Sequence, residues 1–296
     1  MSGPIGSILI PTDNSDGAIT GAKIGIALAS KTGAAIHILS VVDVPVDSPD
    51  DDALLSTLEE DAYDAVEQVE RLARAHDTTL SVTTSVTRGT PFQSIRAYAH
   101  RREIDVIAMG TKGRSGLDRV VLGSVTENVL RTARTPILAV PPAAWIESIG
   151  EQSFDTMLLP TDGSEGAEIA AKWCITLADR LNAMVHTIFS VDTSRFSDRG
   201  EPGEIVGALE QRGEDAIERV TDRAKAAGVS IAAMVARGPP VRVILDSATE
   251  KEVDLIVMGT HGRTGIGQWF LGSVTENVVR GADVPVLCVP VSAKEP

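Results

Sequence analysis

Short apolar runs alternate with longer stretches in which apolar residues recur at helical spacing, and this alternation predicts an α/β chain. Residues 5–10 (IGSILI) read as a first strand. Gly17 to Lys31 reads as a helix with Ala22, Ile26 and Ala29 on one face. Ala35 to Val42 is a second strand, and Asp50 to His76 is largely helical, with a loose start in the acidic 47–52 run. Thr79 to Thr87, rich in Val and Thr, is a third strand. Phe92 to Arg102 is a helix, Ile104 to Met109 a fourth strand, Ser124 to Ala133 a helix and Ile137 to Val140 a fifth strand. Continuous apolar strands such as Val106 to Met109 suit a parallel sheet covered on both faces. Right-handed crossovers then make the sheet doubly wound. Such sheets bind ligands at the carboxyl ends of their strands, near the point where strand order reverses, which directs attention to the loops after strands one and four.

The whole order is written twice. Ile8-Leu9-Ile10-Pro11-Thr12-Asp13 recurs as Met157-Leu158-Leu159-Pro160-Thr161-Asp162, Asp43 as Asp192, Arg88-Gly89 as Arg237-Gly238, and Pro136 as Pro285, always 149 residues later. That period is too long for a solenoid repeat and marks a duplicated domain. The expected domains are residues 1–144 and 153–296, joined around Pro141-Pro142 to Ser153, where two prolines and a polar stretch read as a linker.

Composition narrows the function. Aromatics are only 3% of the 296 residues, so the core must be built from Val, Ile, Leu and Ala. The net charge of -14 repels a phosphate backbone and anionic lipid surfaces, which argues against nucleic acid and membrane partners. Cys174 and Cys288 are the only cysteines, both in the second half, so neither a disulfide framework nor a cysteine zinc site is expected. The N-terminus lacks a basic and apolar leader pattern, and no run approaches the ~18 apolar residues of a membrane span. A cytoplasmic location is expected.

The loop after strand four carries the clearest chemistry. It reads Gly110-Thr111-Lys112-Gly113-Arg114-Ser115-Gly116 and then, after Leu117 to Leu122, Gly123-Ser124. The second copy reads Gly259-Thr260-His261-Gly262-Arg263-Thr264-Gly265 and later Gly272-Ser273. Glycines here would let backbone N–H groups approach phosphate oxygens with no Cβ in the way. Gly123-Ser124 opens a helix whose N-terminus attracts anions, and Ser124 and Ser273 can add a hydroxyl. The alternative is structural. Ser124-Val125-Thr126-Glu127 and Ser273-Val274-Thr275-Glu276 fit a capping box, and the glycines would then serve turns. The loop is neither a Walker A motif, having no closing Gly-Lys-Ser/Thr, nor the dinucleotide fingerprint, which follows the first strand.

The spacing of Gly110, Gly113 and Gly123-Ser124, repeated in Gly259, Gly262 and Gly272-Ser273, resembles the ATP-binding motif of the universal stress protein family, and the Pro-Thr-Asp opening and closing apolar strand are similar to it as well. The resemblance covers nearly the whole chain as two tandem domains. It implies two doubly wound parallel five-stranded sheets of the Rossmann-like, adenine nucleotide alpha hydrolase-like type, arranged as a pseudo-dimer. It implies a stress-response regulator that holds ATP or a related adenine nucleotide in each domain, with Mg2+ carried on the phosphates. It implies pairing of the two domains, with a homodimer of chains as a further step. Asp13 and Asp162 would take ribose hydroxyls or the base, or simply serve as turn residues. Val41 and Ser190, near the end of strand two, would contact adenine through their backbone or be ordinary strand residues. Met109, Val125, Met258 and Val274 complete the candidate lining.

Arg114 and Arg263 could pair with phosphate, and Arg88 and Arg237 could face the same edge; a solvated surface role is the alternative for all four. The copies diverge at Lys112/His261, Asp118/Gly267, Arg119/Gln268 and Val120/Trp269, so unequal sites are expected, with Trp269 packing against a neighbouring helix or domain. No catalytic constellation stands out. His37, His76, His100, His186 and His261 are scattered, no H-x-x-x-H or H-E-x-x-H pair occurs, and no G-x-S-x-G elbow is present. An interaction module that binds no nucleotide and a slow nucleotide-hydrolysing enzyme of similar fold remain the other two readings. Replacing Gly113 or Gly262 by Val is expected to weaken ATP at its own loop and leave the fold intact. Unchanged affinity by titration calorimetry would contradict the phosphate-cradle reading.

Overall fold

The computed structural model describes residues 5–44, 52–112, 122–192, 203–262 and 271–296. The chain divides into two compact units, Met1–Gln152 and Ser153–Pro296. In the first, β1 (Ser7–Pro11), α1 (Asp16–Thr32), β2 (Ala35–Val42), α2 (Asp52–His76), β3 (Val82–Arg88), α3 (Pro91–Arg101), β4 (Val106–Gly110), α4 (Ser124–Thr132) and β5 (Ile137–Val140) follow in turn. The second repeats them as β6 (Thr156–Pro160), α5 (Glu165–Leu181), β7 (Met184–Val191), α6 (Gly203–Ala226), β8 (Ile231–Arg237), α7 (Pro240–Glu250), β9 (Leu255–Gly259), α8 (Ser273–Gly281) and β10 (Val286–Val289). Among the described residues no helix is long and apolar enough to cross a membrane.

Strand order in the first unit is β3-β2-β1-β4-β5, with every neighbouring pair parallel. The second unit repeats it as β8-β7-β6-β9-β10. The chain moves outward from β1 through β2 to β3, then returns to the other side of β1 for β4. Strand order therefore reverses between β1 and β4, and again between β6 and β9. The loops after these strands flank the crevice where ligands bind in this architecture.

Apolar content explains which strands sit where. Ile8, Leu9 and Ile10 of β1 are fully buried, as are Val106, Ile107 and Ala108 of β4, because helices cover both faces of these central strands. β3, with its mixed Val and Thr, has only partly buried and exposed positions, as suits a strand that has a partner on only one side within its unit. Helix ends follow local chemistry. Ser15 caps α1 by accepting from Ala18 N at 3.2 Å, and Gly33 ends it in the left-handed region (φ 67°). In the second copy Ser164 caps α5 in the same way, and Asn182 (φ 54°) replaces the terminal glycine.

The segment from Pro141 to Ser153, expected as a linker, carries two short 3-10 turns, Pro142–Ala144 and Ile149–Glu151. It is fastened to α1. Lys23 Nζ donates to the carbonyls of Ile146 (2.7 Å) and Glu147 (2.9 Å) and lies 5.2 Å from the centre of the Trp145 ring. The matching Lys172 of α5 pairs with Glu295, and Trp173 Nε1 donates to the Lys294 carbonyl at 3.0 Å.

The tightest contact in each unit is backbone against backbone. A Cβ on Gly17 of α1 would fall 1.8 Å from the Lys112 carbonyl oxygen, and one on Gly110 would fall 2.1 Å from the Gly17 carbonyl oxygen. Gly21, one turn on, would strike Gly110 N at 2.5 Å. In the second unit Gly166 would meet His261 O at 2.4 Å, and Gly259 would meet Gly166 O at 2.7 Å. Only glycine lets the start of the helix lie against the end of the strand. Gly17→Ala is therefore expected to lower stability by about 1–3 kcal/mol in urea unfolding. Gly207→Ala in α6, where a Cβ meets nothing within 4 Å, should raise it by up to about 1 kcal/mol. Equal effects of the two substitutions would contradict this account.

Candidate functional site

Each unit has a cavity at the carboxyl end of its central strands, of about 400 Å³ in the first and about 450 Å³ in the second. Both fall within the size range of small-molecule sites. In the first, apolar side chains of β2, α2 and α3, among them Leu39, Val41, Leu58, Ala62 and Ile95, form one part of the wall. The ends of β1 and β4 and the start of α4 form the rest.

The polar part is built mainly from backbone. After β1 the chain turns sharply. Asp13 Oδ1 accepts from Ser15 N (3.1 Å) and Ser15 Oγ (2.6 Å), and Asn14 adopts φ 65°. Asp162 accepts from Ser164 N at 3.0 Å, with Gly163 at φ 73° taking the place of Asn14. Both aspartates thus hold a turn and also line the cavity. After β4, Gly123 N donates to Thr111 O at 2.8 Å, and Gly272 N to Thr260 O at 2.8 Å. The described ends of the glycine-rich segment are therefore joined to each other. Thr126 Oγ1 then donates to Gly110 O, and Thr275 Oγ1 to Gly259 O, both at 2.8 Å, which ties the first turn of the helix to the strand end.

The capping box does not form. The residue at each N-cap is glycine, Gly123 or Gly272, which has no side chain to accept with, and among the described residues no side chain caps either helix. Glu127 and Glu276 instead pair with Arg131 and Arg280 one turn later, at 2.8 and 2.9 Å. The first turns of α4 and α8, Ser124-Val125-Thr126 and Ser273-Val274-Thr275, line the cavities. Uncapped N–H groups and the helix dipole make this the anion-seeking part of the wall.

The first cavity gathers Asp13, Val41, Met109, Gly110, Gly123, Ser124 and Val125. The second gathers Asp162, Ser190, Met258, Gly259, Gly262, Gly272, Ser273 and Val274. Gly113, Arg114, Arg263 and Trp269 lie outside the described residues. At Gly110 and Gly259 the missing side chain also makes room for α1 or α5. Arg88 and Arg237 are engaged elsewhere, in ion pairs with Glu59 (2.7 Å) and Glu210 (2.6 Å), and neither lines a cavity. Ser190 spends its hydroxyl on the Gly238 carbonyl at 2.7 Å.

Several lining residues were not assigned to the site from sequence. Asp43 and Asp192, visible as landmarks of the repeat, reach the cavities from the ends of β2 and β7. Lys112 and His261, visible only as a difference between copies, do so from beyond β4 and β9. Asp61 of α2 faces the first cavity alone, and Phe189 replaces Ser40 in the second. A Cβ on Gly213 of α6 would lie 2.7 Å from the Phe189 ring, so the larger side chain is admitted by a missing one.

His37, His186 and the two thiols lie outside the cavities. His37 is held by Tyr98, its Nδ1 3.1 Å from the hydroxyl, and its pKa is lowered by burial first and Arg102 second. His186 is lowered by burial and then by Lys251. Both thiols are fully buried, and burial alone pushes Cys174 and Cys288 up to about 12, which leaves them un-ionised and poor nucleophiles. Among the described residues no group of three or more His, Cys, Asp or Glu could hold a metal ion.

Comparison with known proteins adds a family. The model of the universal stress protein family matches residues 4–141 and again 153–290. A universal stress protein of Methanocaldococcus jannaschii is 39% identical over 151 residues, covering 49% of this chain and 88% of that protein. One of Mycolicibacterium smegmatis is 27% identical over 298 residues, covering 95% of this chain and 96% of its own. The crystal structure of a universal stress protein from Archaeoglobus fulgidus superposes with a TM-score of 0.73 over 98% of both chains at 21% identity, a likeness of fold.

Proposed function

The chain belongs to the universal stress protein family, with two tandem copies of its domain, and from that premise we propose that it is a regulatory protein which binds ATP, or a related adenine nucleotide, in each unit without efficient catalysis. The observation that carries this reading is the division of each cavity wall. One part is apolar and suits a base. Another offers aspartates, Asp13 and Asp43 or Asp162 and Asp192, which accept hydrogen bonds from ribose hydroxyls or an exocyclic amine. The third is an uncapped helix N-terminus, which suits phosphate and repels nothing negative. Magnesium would enter on the phosphates. Its hard, oxygen-rich coordination needs at most one or two protein carboxylates, which the cavity aspartates could supply. For hydrolysis, His261 is the one described histidine that lines a cavity, and both described thiols lie outside the cavities.

ATP titrated into the protein by calorimetry should fill two sites. Ser124→Glu places a carboxylate in the first turn of α4, where it suits the helix dipole but repels phosphate. It should weaken the first site roughly hundredfold, ~3 kcal/mol, with unchanged circular dichroism. Ser273→Glu should do the same to the second site. Absence of any adenine-nucleotide binding at millimolar concentration would overturn the proposal. Turnover abolished by one side-chain change would replace it with an enzyme.

A further inference from the structure

The two cavities differ in the cation that lines them. Lys112 faces the first, and the residue 149 positions on, His261, faces the second. His261 is held from two sides. Its carbonyl lies against the start of α5, where a Cβ on Gly166 would approach within 2.4 Å. Its ring Nδ1 lies 2.9 Å from Thr260 Oγ1. Thr260 is itself anchored, its N–H donating to Val289 O at 3.0 Å and its carbonyl accepting from Gly272 N at 2.8 Å. The imidazole is thus tied to the backbone bridge that opens α8.

The other ring nitrogen, Nε2, is buried and has no hydrogen-bond partner among the described residues. A buried polar atom without a partner is destabilising, and because His261 lines the cavity a ligand there can supply what the protein does not. The charged residues that share this wall with His261 are Asp162, from the turn after β6, and Asp192, from the end of β7. The lining residues of α5, α6, α7, β9 and α8 are uncharged. Protonated imidazole donates from both nitrogens, one to Thr260 and one free for an anion, and a charge-assisted bond to phosphate is stronger than a neutral one. Histidine changes charge between about pH 5 and 8, whereas lysine stays charged throughout.

We infer that His261 is the phosphate-binding cation of the second cavity, so that this site gains affinity for ATP as the pH falls while the first, which carries Lys112, does not. The inference rests on the nucleotide reading above and gives it a direction: the two copies respond differently to acid.

The test uses the full chain in two backgrounds. Ser124→Glu silences the first cavity and reports the second; Ser273→Glu silences the second and reports the first, which also corrects for protonation of ATP itself. ATP is titrated by calorimetry at pH 8.0 and pH 5.5. Relative to the first cavity, the second should bind about tenfold more tightly at the lower pH, the usual worth of one charge-assisted hydrogen bond. His261→Gln should remove that gain, and His261→Lys should give tight binding at both pH values. Lys112→His in the first cavity should create a pH response there. If His261→Gln binds ATP with the parent's affinity and pH response, the inference is overturned while the nucleotide reading stands. If neither cavity binds ATP at either pH, the nucleotide reading fails and this inference with it.

Discussion

Everything at the ligand edge depends on one close approach, the start of α1 lying directly on the end of β4. Gly17 and Gly110 face each other with no side chain between them, and Gly166 and Gly259 repeat the contact. This contact brings the turn after β1 and the loop after β4 side by side. It sets the carbonyl of Gly110 where Thr126 can bond to it, and so fixes the direction in which α4 begins. A methyl group at Gly17 or Gly110 would push helix from strand, and the turn aspartate, the strand end and the helix N-terminus would no longer share a wall. The hydrophobic core makes the fold stable, but this contact makes it a site.

The resulting wall is built largely from backbone. On the proposed reading the positive potential comes chiefly from helix N-termini, which reconciles an anion site with an acidic protein. Side chains then tune each copy. Asp61 and Lys112 flank the first cavity, and Phe189 and His261 the second. Duplication kept the frame and let the tuning groups diverge.

Much of the fold was legible in the sequence because buried parallel strands are apolar throughout and their helices keep a clear period. The strand and helix bounds agree to within a few residues, as at Ile137–Val140, and the third strand's Val and Thr pattern matches its partly exposed position. Most candidate residues within the described segments face the cavities, since proximity along a strand end or helix start is a local property. Reasons were less legible than positions. Gly110 reads locally as a phosphate approach, and its contact with Gly17, 93 positions earlier in the chain, gives it a second reason that no local pattern shows. Ser124-Val125-Thr126-Glu127 has the letters of a capping box, but the helix begins one residue earlier in register, with Gly123 at the cap. The partners of Arg88 and Arg237 come from the helix opposite, and Asp61 reaches the cavity from a long helix whose orientation no local pattern reveals.

The central claim is that adenine-nucleotide phosphate sits on the uncapped first turns of α4 and α8. Amide resonances in a 15N-labelled full chain report this directly during an ATP titration. The account predicts large shifts at Ser124, Val125 and Thr126 and at Ser273, Val274 and Thr275, with small changes in the exposed faces of α2 and α6. Saturable ATP binding that leaves those six amides unmoved would contradict it.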